Sequence, residues 1–485
     1  MESGTACDGT RHQPSSLGGM LPEDPSTGKI KKESLNSFGR SRNCQFVGKV
    51  SLMSRWDRVW RFLFGFGPLP GRAALRKAGI RPGLYHYFRD AGGQVGRFHL
   101  RVDPDGWGLL VAGAAAAVWL RPSGVIYAKG LLENWPPETI FQLQKRAFGP
   151  VPPDRLEADL AEVQGLLDRL QRPGTDYPMI NLMDPGWGKE VKHLDRPLSA
   201  DLPGAPPEHL EPILRRLWDF GIPHVTLVAG KTTEPAWLVR AVELAEDLGM
   251  IAGVRGLATT LSQDGLLQQL AQAGLDHINI IYLAEEPAVH DRWTCPGDHQ
   301  EALRCLETAQ KLEICPVAEI PLIQPTWQRI DQTLTVLASR GIQTAGFYAL
   351  VVRPGIAGGG ALEADQLIHV AQWVEESANQ ARVRFLWYPP VCFHLGQSLG
   401  TVLVRGPRCS GDTAIRVEPD GSVLPARGPA QSAGNLLRDS WEKIVRSPVM
   451  RRYLARLRSD TRCPDCPGLV ICSADCPRQP EGWVQ

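Results

Sequence analysis

The sequence predicts an α/β protein built around a partial, open (β/α)6 barrel, with a small domain before it and a cysteine-rich domain after it. Three observations lead there. Strand-like and helical segments alternate six times between residues 176 and 400, which calls for a parallel sheet with helices outside. Residues 80–172 run from strands into helices without alternating. Five of the 11 cysteines fall in the last 77 residues.

A chain of 485 residues has room for two to four domains. Its 43% hydrophobic and 22% charged residues are ordinary for a soluble globular protein. With 53 Lys+Arg against 52 Asp+Glu it carries no basic footprint, so nucleic acid is not an expected partner. The N-terminus has no apolar segment of a secretory signal. The longest apolar run, Trp107–Leu120, has 14 residues, short of the ~20 a membrane span needs. The expectation is a cytoplasmic protein without a transmembrane segment, with Trp107–Leu120 as a buried element.

Residues 1–50 are rich in Ser, Gly and charge and read as a disordered tail. The next domain, 51–172, opens with SRWDRVWRFLFGFG, basic and aromatic at helical spacing. It reads as a helix docked by Trp56, Trp60 and Phe64, with a place on a membrane surface as the alternative. RFHLRV then alternates as a strand, and the order is two or three strands followed by three helices. The helices are PSGVIYAKGLLEN, PPETIFQLQKRAFG and PPDRLEADLAEVQGLLDRLQ, ending at Pro173-Gly174.

The barrel, 176–400, starts with YPMINLM as its first strand. Helix 208–220 puts Leu210, Ile213, Leu214 and Leu217 on one face. The strands that follow are HVTLVAG, MIAGVR, INIIYL, PVAEIPLI, AGFYALV and the closing VRFLWYP, with amphipathic helices between them. Loops after the strand C-termini would carry a site. The last domain, 405–485, is loop-rich, with a turn at EPDG (418–421) and a helix near DSWEKIVRSP.

The tail spells Cys463-x2-Cys466-x5-Cys472-x3-Cys476, spacings at which four thiolates converge on one metal or cluster. Upstream stand Cys409 and, after Gly421, the segment SVLP leading to Ala426. This pattern resembles the SPASM domain, the auxiliary iron–sulfur extension of radical-SAM enzymes. It departs twice: the family's second Cys is Ala426 here, and no Cys follows Cys476. The resemblance implies five ligands for two clusters. It leaves one [4Fe–4S] cluster, or Zn²⁺ in its place, held among Cys409, Cys463, Cys466, Cys472 and Cys476.

The barrel resembles the radical-SAM core. LVAGKTTEP (227–235) sits where that family has a Gly-Gly-Glu-Pro loop that holds the amino group of S-adenosylmethionine. Glu234 and Pro235 match, while Thr232 and Thr233 replace the glycines, so Glu234 is a degenerate cofactor-binding residue. The family also needs Cys-x3-Cys-x2-Cys after the first strand. Residues 181–198, NLMDPGWGKEVKHLDRPL, contain no Cys. Asp184, His193 and Asp195 could ligate a metal there, against a reading as solvated loop residues.

RFHLRVDPDGWGLLVAGAAAAVWL and the helices after it resemble the PqqD-like fold, a winged-helix-like module that binds leader peptides in peptide-maturation (RiPP) pathways. Physically, such binding is strand addition at a sheet edge. The resemblance to PqqD-like, radical-SAM and SPASM parts together implies a degenerate homologue that binds a peptide, an intact radical-SAM paralogue, or both. Two alternatives stay open: an active radical or Fe–S redox enzyme with an atypical cluster site, and a Zn-stabilised scaffold without catalysis. S-adenosylmethionine binding is in doubt for the same missing thiolates.

Other motifs recede. Gly-Lys-Thr at 230–232 lacks the P-loop's first glycine. RPGIAGGGALEAD (353–365) reads as a barrel-top loop. His290, Asp291 and His394 read as capping or surface residues, and Cys295, Cys305 and Cys315 as small buried hydrophobes.

Overall fold

The computed structural model describes residues 71–171 and 196–451, apart from 91, 94, 114–115, 231, 264, 353–359, 364–365, 388–390, 393–402, 404–413 and 426–430. All of these belong to one compact unit, Lys49–Gln485. The segment around Trp56, Trp60 and Phe64 lies outside the described residues, as does His394.

The small domain begins with α1 (Gly71–Lys77) and an antiparallel sheet. Its strands are β1 (Gly83–Asp90), β2 (Val95–Val102), β3 (Gly108–Ala112) and β4 (Ala116–Leu120), in that order. Helices α2 (Pro122–Leu132), α3 (Pro137–Phe148) and α4 (Pro153–Gln171) follow. Each begins on a proline, whose fixed φ suits the first helical position and whose missing N–H would have had no partner there. Gly149, at φ +90°, ends α3.

The expectation of two or three strands is thus corrected to four. The apolar run is not one element but a hairpin, β3 paired with β4, turning near Gly113 at φ +53°. A glycine adopts that left-handed geometry without steric cost. The added strand, β1, sends Tyr85 and Tyr87 toward the small domain's core.

The large sheet is parallel along most of its width. Its strands are β5 (Ser199–Leu202), β6 (His224–Val228), β7 (Ile251–Gly256), β8 (His277–Ile281), β9 (Cys315–Leu322), β10 (Thr344–Val352) and β12 (Arg384–Trp387). Short strands β11 (Leu362–Glu363) and β13 (Val391–Cys392) also pair with β10. Between them run α5 (Pro207–Asp219), α6 (Pro235–Asp247), α7 (Ala258–Leu261), α8 (Leu266–Gln272), α9 (Pro287–Trp293), α10 (Asp298–Lys311), α11 (Ile330–Ser339) and α12 (Leu367–Ala381).

One face of the sheet is the main core. Alternate residues such as Val225, Leu227, Val254, Ile278, Ile280 and Phe347 pack there against the helices and are fully buried. Burying that face is what holds the layers together, at about 25 cal/mol for each Å² of apolar surface removed from water.

The strand beside β6 is Ser199–Leu202, not the expected YPMINLM, which lies outside the described residues. Among the described residues the loop that follows this strand is 203–206, four residues long. Asp184, His193 and Asp195 also lie outside the described residues.

A C-terminal addition extends the β5 edge. Strand β14 (Ala414–Val417) runs parallel to β5 and turns through Gly421, at φ +84°, into β15 (Ser422–Leu424) and then β16 (Gly434–Asn435). Helix α13 (Trp441–Val445) closes it, capped by Ser440, whose hydroxyl accepts from the Lys443 amide. Arg216 of α5 clamps this addition by donating to the Leu436 and Asp439 carbonyl oxygens at 3.1 and 2.7 Å. Among the described residues no helix is long and apolar enough to cross a membrane.

Candidate site on the inner face of the parallel sheet

The face of the sheet opposite the helices is polar where its neighbours are apolar. Side chains alternate along a strand, so every second residue points to it. Those residues include Asp201 on β5, Thr226 on β6, Arg255 on β7, His277 and Asn279 on β8, Glu319 on β9 and Tyr348 on β10, all buried. Arg416 of β14 stands beside Asp201 in the register, and Thr226 on its other side.

Most of these groups are joined. Arg255 Nε donates to Glu319 Oε2 at 2.5 Å. Asn279 Nδ2 donates to Glu319 Oε1 at 3.1 Å, and its Oδ1 lies 2.8 Å from His277 Nδ1. His277 Nε2 is 2.7 Å from His224 Nε2, so one ring donates and the other accepts. A continuous polar chain thus crosses from β6 through β8 and β9 to β7. Tyr348 donates to the Leu403 carbonyl oxygen at 3.1 Å.

The electrostatics follow from burial. It raises the Asp201 carboxyl to about 7, although Arg416 and Arg255 pull it down. Burial holds His277 below the usual imidazole value and His224 well below it. Toward the strand C-termini the inner face becomes apolar: Leu257, Ile281, Leu283, Ile323 and Leu350 form a buried cluster with Leu403. The polar band therefore lies beneath an apolar layer.

At the opposite, N-terminal ends of the strands the small domain docks. Residues 97, 99 and 101 of β2 all face the large sheet's loops, while Phe98, Leu100 and Val102 face their own core. Arg97 donates to Glu246, Asp276 and the Met250 carbonyl oxygen. His99 Nε2 lies 2.7 Å from the Gly249 carbonyl oxygen. Arg101 donates to the Pro197 and Gly221 carbonyl oxygens. The alternation RFHLRV is a sequence signal of a strand with two occupied faces.

Of the sequence-predicted site residues, only Glu234 lies among the described residues, and it is not part of this band. Glu234 is exposed and precedes α6 without capping it through its side chain. Cys409, Cys463, Cys466, Cys472 and Cys476 lie outside the described residues. Cys305 is buried as expected, but Cys315 is exposed and Cys295 half-buried. His290 is not a surface residue: it is fully buried, accepts from the Leu283 amide and bonds Asp298 at 3.0 Å. The inner-face band was missed because its members are scattered from 201 to 416 and meet only through strand register.

Among the described residues, the loops after β5 and β6 offer little to either cofactor of the radical-SAM resemblance. The loop after β5, Pro203-Gly204-Ala205-Pro206, offers no thiolate, imidazole or carboxylate. In the loop after β6, the Gly230 amide donates to the Thr233 hydroxyl at 2.9 Å, so a side chain takes a backbone donor of that loop. Among the described residues no three His, Cys, Asp or Glu are arranged to hold a metal ion.

Among solved structures, Streptococcus suis SuiB bound to S-adenosylmethionine is 12% identical, with TM-score 0.50, over 83% of this chain and 99% of that one. SuiB alone gives 13% identity and TM-score 0.49 over 80% of this chain and 97% of that one. Native anSMEcpe with bound AdoMet and Cp18Cys peptide gives 14% and 0.43 over 57% and 88%. The likeness to S-adenosylmethionine-bound SuiB is one of fold. No family profile matches the chain. No curated protein matches it either.

Proposed function

We propose that this protein is a radical-SAM-like scaffold without radical chemistry that binds a peptide, and works beside an intact radical-SAM paralogue in peptide maturation. The observation that carries this reading is the four-residue loop 203–206 after the first described parallel strand. Radical cleavage of S-adenosylmethionine needs an iron left open on a thiolate-held cluster, and a soft cluster of that kind needs sulfur ligands. The SuiB fold without those ligands supports a retained shape with an abandoned reaction. SuiB is also solved bound to precursor peptide SuiA, which favours a peptide as the ligand.

In this reading the PqqD-like domain takes the peptide by strand addition at the β4 edge. The sheet has two edges, β1 and β4. Gln171, at the end of α4, donates to the Arg89 carbonyl oxygen at 2.8 Å and blunts the β1 edge. The SPASM-like tail holds one [4Fe–4S] cluster or one Zn²⁺ through its five cysteines and acts as a structural or electron-carrying clip.

The test is anaerobic purification followed by assay for 5′-deoxyadenosine under strong reduction. The expected result is no product, with peptide binding by fluorescence anisotropy intact. Turnover of S-adenosylmethionine by the purified chain would overturn the reading. Iron, sulfide and zinc content would separate the two tail assignments: about four irons and four sulfides, or about one zinc.

A further inference from the structure

Four of the protein's 11 histidines meet where the small domain docks, and the proposed function uses none of them. His86 of β1 stacks on His99 of β2 with ring centroids 5.0 Å apart. His99 is close enough to His224 of β6 for charge on one to oppose charge on the other. His224 in turn shares a hydrogen bond with His277 of β8. His86 Nε2 and His99 Nδ1 are buried without a hydrogen-bond partner among the described residues. The two apolar cores on either side have no residue in common. Between these cores the junction carries a seam of the four histidines on one side and one small apolar contact, Leu198 against Leu109 and Val111 of β3, on the other.

We propose that this seam is an acid-operated latch: the small domain stays docked while His86, His99, His224 and His277 are neutral, and swings away from the parallel sheet when they take up protons. The geometry makes protonation incompatible with docking. His224 and His277, both on the large sheet, share a single 2.7 Å hydrogen bond, so only one of the two can be charged while that bond stands. A charged His99 would be buried beside His86 and Arg97, both of which oppose it.

The charged groups around the seam set the balance. From β2 come Arg97 and Arg101, from α6 Glu246, and from the turn before β8 Asp276. Asn279 of β8 and Trp218 of α5 complete the surroundings. Burial lowers His86 and His277, lowers His99 to about 3, and holds His224 well below its usual value. Each therefore gains proton affinity on opening. Asp276 acts in the other sense, because burial raises its carboxyl to about 6 in the docked state. Below that pH its proton is released on opening. His224 and His277 stay side by side in the sheet and take up one proton between them, so three protons gained less one lost leaves at most about two, and the open-to-docked ratio rises by up to about 10² per pH unit below pH ~6.

The latch is tested on the full-length chain by small-angle scattering and far-ultraviolet circular dichroism between pH 8 and pH 5. Trp218, whose ring lies 6.5 Å from His86 and 6.0 Å from His99, is the local probe, read as the fluorescence difference from a Trp218→Phe variant. The expected result is a growing radius of gyration with unchanged circular dichroism and a transition steeper than one proton. His99→Gln keeps a donor for the Gly249 carbonyl but cannot titrate. It should shift the midpoint to lower pH and cut the steepness by about tenfold per pH unit. His86→Gln, at a half-buried position, should do the same if His99→Gln fails to fold. A constant radius, a transition that coincides with loss of circular dichroism, or steepness unchanged in both variants would each overturn the proposal.

Discussion

Arg255 and Glu319 face each other across the inner side of the sheet, Nε to Oε2 at 2.5 Å, with both side chains almost fully buried. They come from β7 and β9, with β8 between them, and Asn279 of that middle strand binds the same carboxylate. This pair fills the middle of the inner face, beneath the apolar layer around Leu403.

Removing one partner strands the other. Glu319→Ala should cost about 3–5 kcal/mol in urea unfolding, because it takes from a buried guanidinium the carboxylate that it donates to. The double change Arg255→Met with Glu319→Leu should cost much less than twice that figure. Equal, additive losses would show that the two groups act independently.

Gly253 is reserved for the His277 ring. A Cβ there would stand 2.0 Å from His277 Cε1. Gly253→Ala should destabilise by about 1–3 kcal/mol through overpacking, seen as a lower Tm. Gly265→Ala makes a poor control, since that residue sits at φ +75°. Gly165→Ala is a better one, because only the far end of Arg169 comes within reach of the new methyl group.

Asp201 gives stability a pH dependence of definite sign. Its carboxyl is raised to about 7 by burial, so the folded state holds its proton more tightly than the unfolded chain does. The contribution is complete below the ordinary value of 3.8 and is lost as pH rises through about 7, with a slope of at most about 1.4 kcal/mol per pH unit. Asp201→Asn should therefore be more stable than the parent at pH 8, with the advantage vanishing near pH 4. An advantage independent of pH would refute this assignment.

Cys463→Ala tests the tail. It should abolish bound metal and raise protease sensitivity after residue 451, because metal-held segments owe their folding to the metal. Metal content equal to that of the parent would remove Cys463 from the ligand set.

The main alternation of helix and strand from residue 207 to 387 was legible because the helix-facing strand residues are apolar and the longer helices carry a clear stripe, whereas short α9 buries only His290 and has none. The first strand was not. Ser199 and Asp201 point to the charged inner face, so SADL lacks the apolar run by which a buried parallel strand is recognised. YPMINLM has that run and drew the assignment. The hairpin β3–β4 was hidden the same way: six alanines and glycines in a row carry no period, and only the turn near Gly113 divides them. The inner-face band and the histidine seam depend on register and docking, which no local pattern encodes.

Gly221 and Gly249 both adopt φ +78° just past the ends of α5 and α6, and their carbonyl oxygens receive Arg101 and His99. A Cβ on either would strike the small domain, 2.8 Å from Arg101 Cδ or 2.6 Å from His86 Nδ1. The same two residues therefore stop helices and dock a neighbour. These two acceptors are main-chain atoms, so side-chain replacement beside them leaves that part of the socket intact, whereas Arg97 depends on the Glu246 and Asp276 carboxylates. The two modules can drift in sequence elsewhere and still recognise each other, provided that the glycines that end the helices and the two carboxylates that receive Arg97 remain. A small domain carrying the same Arg-x-His-x-Arg strand should be exchangeable between chains that share little else.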